Sequence, residues 1–292
     1  MNHFLALLLV FSLALGASAT ASANSCDDPQ PLRLALVPKT NPEQQLAKYQ
    51  PLIQQLEKKL ARRGEVVPSP SYSTDIEGLL AGSIDLAELG PASYAIAMNR
   101  GAGIAAFASF SLRKGPYTDS ESAYRSLLIV RRDKGIEKIE QLRGKTLSLT
   151  DPASTSGAIL PRQAMRQLTG TPLESYFQRV TFAGSHDRAI AALDKGLVDA
   201  AFVSSSMLDE FVRRNSLQAN QIRILWQSPL IPYDPVVLRS KLCPSVAAKI
   251  KQAFLNDPAP LSGMFQELNV SGFVAVTDDN YREIMRLLPM QP

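Results

Sequence analysis

Short apolar runs of strand character alternate with amphipathic helical stretches along most of the chain. Leu32 to Val37 precedes a helical pattern over Glu43 to Arg62, Glu65 to Tyr72 precedes Asp75 to Ala81, and Ile84 to Leu89 precedes Pro91 to Arg100. The alternation resumes with Tyr124 to Arg131, Lys145 to Thr150, a helix after Gly157, Arg179 to Ala183, Asp187 to Lys195, Val198 to Val203 and Met207 to Arg214. Strand–helix–strand units of this length expect an α/β architecture with mainly parallel sheets. At 292 residues the chain exceeds what one small core organises, so two lobes are expected.

A weak internal echo supports two lobes. Gly82-Ser83-Ile84-Asp85-Leu86-Ala87 and Gly196-Leu197-Val198-Asp199-Ala200-Ala201 share the pattern Gly-x-(Ile/Val)-Asp-x-Ala, each after a short amphipathic helix. Each runs on into a second helix through small residues, Gly90-Pro91-Ala92-Ser93 in one case and Ser204-Ser205-Ser206 in the other. Either the two lobes face each other with matching helix starts, or short βα units simply resemble one another.

The first residues point outside the cytoplasm. Met1 to Ala23 holds no Asp, Glu, Lys or Arg, carries an apolar run from Phe4 to Leu15, and ends in Ala21-Ser22-Ala23, an A-x-A cleavage pattern. A secretory signal peptide over 1–23 is therefore expected, although its start offers only the α-amino group and His3. The apolar run is short for a membrane span. The net charge of +4 is mild and no block of like charges occurs, which gives no case for nucleic acid. In an exported chain two cysteines, Cys26 and Cys243, form either one disulfide or two free thiols. Lipidation of Cys26 is poorly served by Ala23-Asn24-Ser25, so a soluble product is expected.

Asp151-Pro152-Ala153-Ser154-Thr155-Ser156-Gly157 places three hydroxyls and a glycine where a strand hands over to a helix. A helix start has unpaired N–H groups and a partial positive charge, which together seat an anion. Hydroxyls add donors for a tetrahedral oxyanion without a full counter-charge. The alternative is that Ser154 or Thr155 merely caps the helix.

In order along the chain, Tyr72, Gly90-Pro91-Ala92-Ser93-Tyr94, Ala123-Tyr124-Arg125-Ser126, Asp151-Pro152-x-Ser154-Thr155-Ser156-Gly157, Gly184-Ser185-His186 and Ser228-Pro229-Leu230-Ile231-Pro232-x-Asp234-Pro235 resemble the periplasmic phosphate/phosphite/phosphonate-binding proteins of ABC importers. The resemblance runs over nearly all of the chain after residue 23. It implies a type II periplasmic-binding-protein fold, two α/β lobes with a ligand cleft and two hinge crossovers. Lobe 1 would comprise 24–112 plus 236–292, and lobe 2 would comprise 113–235. Both cysteines then fall in lobe 1, where they can pair.

Carried over residue by residue, the resemblance implies that Tyr72 and Tyr124 close over the ligand, that Ser154, Thr155 and Ser156 grip its oxygens, that His186 contacts the same oxyanion and that Asp234 sits at the cleft. Read physically, the two tyrosines at strand ends are either phenol donors or rim packing. His186, on the first turn of a helix, is disfavoured as a cation until an anion arrives, or else is solvated. Asp234 is either a turn residue or an acceptor for a ligand that keeps an acidic proton. A P–OH donates to a carboxylate, whereas sulfate would meet repulsion. The expectation is a site that holds its guest without lysine or arginine.

Ser206 stands where relatives that take aminoalkylphosphonates carry a carboxylate, which favours phosphate, phosphite or a neutral alkylphosphonate. Glu88 stands where an aromatic or small residue is more usual, and lines the cleft or points to solvent. Leu89, Gly90 and Ser204 complete the candidate lining. Enzymatic readings fare worse. No Gly-x-Ser-x-Gly elbow accompanies His186, one histidine and two distant cysteines serve a metal poorly, and no phosphate-binding G-x-x-x-x-G-K-[ST] loop is present. No cofactor is expected. The implied partners are a small oxyanion and an ABC permease with its ATPase. A ligand sensor feeding a membrane receptor kinase is the alternative, with a phosphomonoester hydrolase a distant third.

Overall fold

The structure, a computed structural model, describes residues 26–214 and 217–288. The segment read as a signal peptide lies outside them. The first stretch of chain runs β1 (Leu32–Leu36), α1 (Pro42–Leu60), β2 (Gly64–Val66), α2 (Tyr72–Leu80), β3 (Leu86–Glu88), α3 (Pro91–Asn99) and β4 (Ile104–Leu112). After β5 (Ala123–Tyr124) come β6 (Ser126–Arg131), β7 (Thr146–Leu149), α4 (Leu160–Thr169), α5 (Leu173–Tyr176), β8 (Arg179–Phe182), α6 (His186–Asp194), β9 (Ala200–Ser204), α7 (Ser205–Arg214) and β10 (Ile222–Gln227). The chain then returns through β11 (Ile231–Pro232) and β12 (Pro235–Arg239) to α8 (Pro244–Leu255), α9 (Ser262–Glu267), β13 (Val270–Ala275) and α10 (Arg282–Leu287).

Two sheets result. One has the order β13-β4-β12-β3-β1-β2 and the other β10-β6-β9-β7-β8, while β5 and β11 pair with each other where the chain crosses over. The sheets are mixed, which corrects the expectation of mainly parallel pairing. Only β1 with β2 and β3, and β7 with β8 and β9, run parallel. The reason is the crossing itself. β12 comes back from the other half at the end where β3 finishes, so it inserts between β3 and β4 antiparallel to both. β6, entering the second sheet from the first, likewise lies antiparallel to β9.

Pleating sends alternate side chains to opposite faces, and each sheet buries both. In the first, Leu32, Leu34, Val236 and Leu238 join one apolar cluster, and Ala35, Val37 and Val237 join the other. In the second, Leu128, Val130 and Phe202 face one way and Leu127, Ile129 and Val203 the other. Helix α1 covers the first sheet with Tyr49, Leu52, Ile53, Leu56 and Leu60, a helical spacing. Its start is fixed by Asn41, whose side chain accepts from the Glu43 and Gln44 amides.

The internal echo is structural. Asp85 accepts from the Arg33 amide at the head of β1 at 3.0 Å, and Asp199 accepts from the Thr146 amide at the head of β7 at 2.9 Å. Gly82 and Gly196 both turn the chain with left-handed φ, 70° and 69°, a conformation that favours glycine. The preceding helices start alike too, with Ser71 capping α2 and Ser185 capping α6. Cys26 and Cys243 are disulfide-bonded with Cα atoms 4.7 Å apart, which resolves the pairing in favour of a bridge and leaves no thiol for a lipid. Among the described residues no helix is long and apolar enough to cross a membrane.

Candidate functional site

The ends of the parallel strands in both sheets converge on a small cavity lined by Lys39, Tyr72, Gly90, Tyr124, Ser154, Thr155, His186, Ser204, Ser206, Met207, Tyr233 and Asp234. Crevices at the carboxyl ends of strands are where open α/β sheets take their ligands. The two halves touch around it. Thr155 Oγ1 accepts from the Ala92 amide at 2.8 Å, Ser93 Oγ donates to the Ala153 carbonyl, Thr40 donates to Asp187, and Lys48 pairs with Glu210.

The wall from the second half is neutral. Beyond β7, the Asp151 side chain and carbonyl accept from the Ala153 and Ser154 amides. Ser154 Oγ then accepts from the Gly157 amide at 3.1 Å. The chain takes a π-type turn over Thr155–Ile159 before α4 begins, so the helix expected straight after Gly157 starts wider and later. Gly157 is required: a Cβ there would lie 2.3 Å from Thr150 Oγ1. Ser154 therefore caps the turn and also lines the cavity. Each hydroxyl that accepts an N–H keeps its own proton to donate, so Ser154 and Thr155 both remain donors. Ser156 lies slightly behind them, its Oγ 3.5 Å from His186 Nε2.

His186 opens α6 and is buried, which excludes the solvated alternative. The Ser204 amide donates to its Nδ1 at 3.1 Å, and Thr150 Oγ1 lies 3.0 Å from the same nitrogen. An accepting Nδ1 places the ring proton on Nε2. Burial, with Lys39 nearby, lowers the imidazole to about 3. His186 is thus a neutral donor, with its protonated form disfavoured. Ser204 and Ser206 line the adjoining stretch with hydroxyl oxygens 2.9 Å apart.

The wall from the first half is charged. Lys39 follows β1, its loop shaped by Gln45, which accepts from the Lys39 amide and donates to the Val37 carbonyl. Its ammonium reaches Glu88 Oε1 at 2.5 Å, Asp234 Oδ2 at 2.8 Å and the Tyr233 hydroxyl at 3.2 Å. Tyr49 donates to Glu88 Oε2 at 2.5 Å. Burial disfavours the ammonium, yet the Asp234 and Glu88 carboxylates outweigh it and hold Lys39 well above its usual range. Burial raises the Asp234 carboxyl, with Lys39 pulling it back and Glu88 pushing it up. Tyr233 is raised to about 12, mainly by burial.

The structure corrects several expectations here. The site is not free of lysine. Glu88 is buried beneath the cavity in contact with Lys39 and Tyr49, neither lining the cleft nor facing solvent. Leu89 is fully buried in the core and also does not line it. Tyr72 stands at the start of α2 rather than at a strand end, its amide directed at Asp151. Burial raises the Tyr72 and Tyr124 phenols, so both stay protonated donors. Sequence reasoning missed Lys39, Tyr233 and Met207. The position of Lys39, two residues past a parallel strand's apolar run, was the available signal.

Sheets of this order joined by two crossovers, with a cavity at their strand ends, define a two-lobed ligand-binding protein of the type II periplasmic-binding fold. Solved relatives share it. A binding protein component of an ABC phosphonate transporter from Pseudomonas aeruginosa superposes with a TM-score of 0.78 at 23% identity, covering 89% of this chain and 86% of that one. PhnD1 from Prochlorococcus marinus in complex with methylphosphonate gives 0.77 at 18% identity, covering 88% and 96%. Residues 34–281 match the family model for the phosphonate periplasmic substrate-binding protein of ABC transporters, and the chain belongs to that family. It is also similar to the phosphate-import protein PhnD of Mycolicibacterium smegmatis, 29% identical over 256 residues, covering 85% of this chain and 78% of that protein. The phosphonates-binding periplasmic protein of Escherichia coli is 28% identical over 256 residues, covering 86% and 72%.

Proposed function

We propose that this chain, exported by removal of residues 1–23, captures one small phosphorus oxyanion between its halves and delivers it to an ABC permease. The chemical class is phosphate, phosphite or an alkylphosphonate without an amine. The observation that carries the reading is the facing of two kinds of group across one cavity: neutral donors from Ser154, Thr155, His186, Tyr72 and Tyr124 on most sides, and the acceptor Asp234 on the other. Donors take the P–O oxygens, and a remaining P–OH donates to Asp234. Sulfate has no such proton and meets a carboxylate unrelieved. Ser206 offers no charge to an ammonium group, which speaks against aminoalkylphosphonates.

Capture proceeds by closure. The hinge lies at the crossovers, 112–124 and 228–234, where β5 and β11 pair. A ligand touching both walls favours the closed form by the contacts it makes only there. The named relatives bind or import phosphorus oxyanions, which supports the same use here. Turnover is unsupported by the histidine: its Nδ1 accepts the Ser204 amide and its Nε2 carries the proton, so neither nitrogen is free to take a proton from Ser156. Incubation with phosphomonoesters is expected to return them unchanged.

Calorimetric titration of the mature chain with phosphite, phosphate, methylphosphonate, 2-aminoethylphosphonate and sulfate tests the proposal. One-to-one binding of at least one of the first three, with sulfate excluded, is expected. Equal binding of sulfate, or no binding of any phosphorus oxyanion, overturns it.

A further inference from the structure

We propose that Glu88, which does not touch the cavity, is a positioning residue that sets the charge the site will accept, acting through Lys39 on Asp234. The inference rests on the phosphorus-oxyanion reading above and deepens it by assigning the protonation state of the ligand.

An ammonium has three donors, and those of Lys39 are all engaged, by Glu88, Asp234 and the Tyr233 hydroxyl. Lys39 therefore has no donor left for a ligand, although it lines the cavity. Its work is on Asp234. Buried beside Glu88, the Asp234 carboxyl is driven towards its neutral form, and the contact with Lys39 at 2.8 Å keeps it an acceptor. Glu88 divides the same ammonium, and Tyr49 fixes its second oxygen at 2.5 Å. One cation thus faces two carboxylates, all three largely buried.

The surplus is one negative charge on the wall the ligand must meet. The remaining groups around it do not cancel that charge. Tyr72, Tyr124, Tyr49 and Tyr233 are held protonated by burial, His186 is neutral, and Asp75 and Asp151, further back, are acidic groups whose carboxyls burial raises. A ligand enters such a site at the lowest cost when it carries a proton at the atom facing Asp234 and one negative charge fewer. Were Glu88 neutral, Lys39 and Asp234 would balance, and the demand for a ligand proton would relax.

The test is titration of wild type, Glu88→Gln and Glu88→Leu with phosphite and with sulfate between pH 5.5 and 8.5, in buffers of different ionisation enthalpy. Wild type is expected to take up about one proton per phosphite bound near pH 8, and to lose affinity about tenfold per pH unit above the second ionisation of the ligand. In the neutral variants that pH dependence should flatten, and the sulfate-to-phosphite affinity ratio should rise at least tenfold.

Variants that bind more weakly yet keep the wild-type profile and ratio overturn the inference, because Glu88 would then only pack. Phosphite binding by wild type without proton uptake near pH 8 overturns it as well, whatever the variants do. Failure of wild type to bind any phosphorus oxyanion is a different result and removes the proposed function itself.

Discussion

The two halves of the cleft share a frame and differ in chemistry. Tyr72 opens α2 behind the cap Ser71, and His186 opens α6 behind the cap Ser185, with cap dihedrals that agree within a few degrees, −152° and 159° against −154° and 161°. Gly90 lies just beyond β3 and Ser204 ends the corresponding β9, and the loop carrying Lys39 after β1 corresponds to the turn carrying Ser154 and Thr155 after β7. On that common scaffold one half presents Lys39, Asp234 and the buried Glu88, and the other presents hydroxyls, amides and a neutral imidazole. On the proposed reading, such a cavity holds an anion without full neutralisation: the neutral half supplies preorganised donors and the charged half selects a ligand that keeps a proton. The lesson is that a shared local geometry sets where side chains reach the cleft, and different residues at those places divide the labour.

If the halves divide labour in this way, the largest effect belongs to the charged one. Asp234→Asn should weaken phosphite or phosphate binding about 10- to 100-fold, the value of a lost charge-assisted hydrogen bond of about 1.5 to 3 kcal/mol, while sulfate gains. Calorimetry on the folded variant reads both, and unchanged affinity breaks the assignment. On the neutral half, Thr155→Ala removes a donor to the ligand and the acceptor for the Ala92 amide, a bond between the halves at 2.8 Å. About tenfold weaker binding is expected, with a smaller bias towards closure in small-angle scattering of the ligand-bound form. If Thr155→Ala costs more than Asp234→Asn, recognition lies mainly in the neutral wall.

The same division explains what could be read from the chain. The neutral wall is assembled from contiguous segments, Asp151 to Gly157 and Gly184 to His186, so its residue types and their helix-start context stand together in the sequence. The charged wall is not. Lys39, Tyr49, Glu88 and Asp234 come from a loop, a helix, a strand end and a crossover, and only the insertion of β12 beside β3 brings Asp234 over Glu88. Lys39 in isolation reads as an ordinary surface lysine, and the pairing of Glu88 with it turns a candidate cleft-lining carboxylate into a buried one. The parallel βα units were legible from alternation, whereas the antiparallel strands were not, because strand patterns carry no direction. The π-type turn escaped for a similar reason: Ser154, Thr155 and Ser156 announce a helix start but not how wide its first turn is.

Buried titratable groups in the two halves make a further contrast in pH dependence. His186 sits at about 3 in the fold against about 6.5 when exposed. The unfolded chain therefore binds the extra proton below about 6.5, and this group's share of stability is lost as pH falls from there towards 3. Asp75, buried in the first turn of α2, is raised to about 7. The native state then holds the extra proton, so this group's stabilisation is complete below about 4 and is lost as pH rises towards 7. Between about 4 and 6.5 the two slopes oppose, each by up to about 1.4 kcal/mol per pH unit. Melting temperatures across that window should rise with pH more steeply in Asp75→Asn than in wild type, and fall with pH in His186→Gln. Parallel curves for the two variants would show that these groups do not set the balance.

The smallest expected effect separates shape from charge. Gly90 has φ −66°, a backbone any residue adopts, and a Cβ there would lie 3.6 Å from the Tyr72 ring and 3.7 Å from Thr155 Oγ1, ordinary contact distances. Gly90→Ala should therefore fold with little loss, unlike Gly157→Ala, whose methyl group has no room against Thr150. The added methyl at position 90 nonetheless projects between the two walls where the ligand is proposed to lie. Affinity should drop several-fold, and more for methylphosphonate than for phosphite, because the substituted ligand has the greater need of space while both present the same charge to Asp234. An equal drop for both ligands would mean that the methyl group hinders closure of the halves rather than crowding the guest, and would move size selection from the cavity to the hinge.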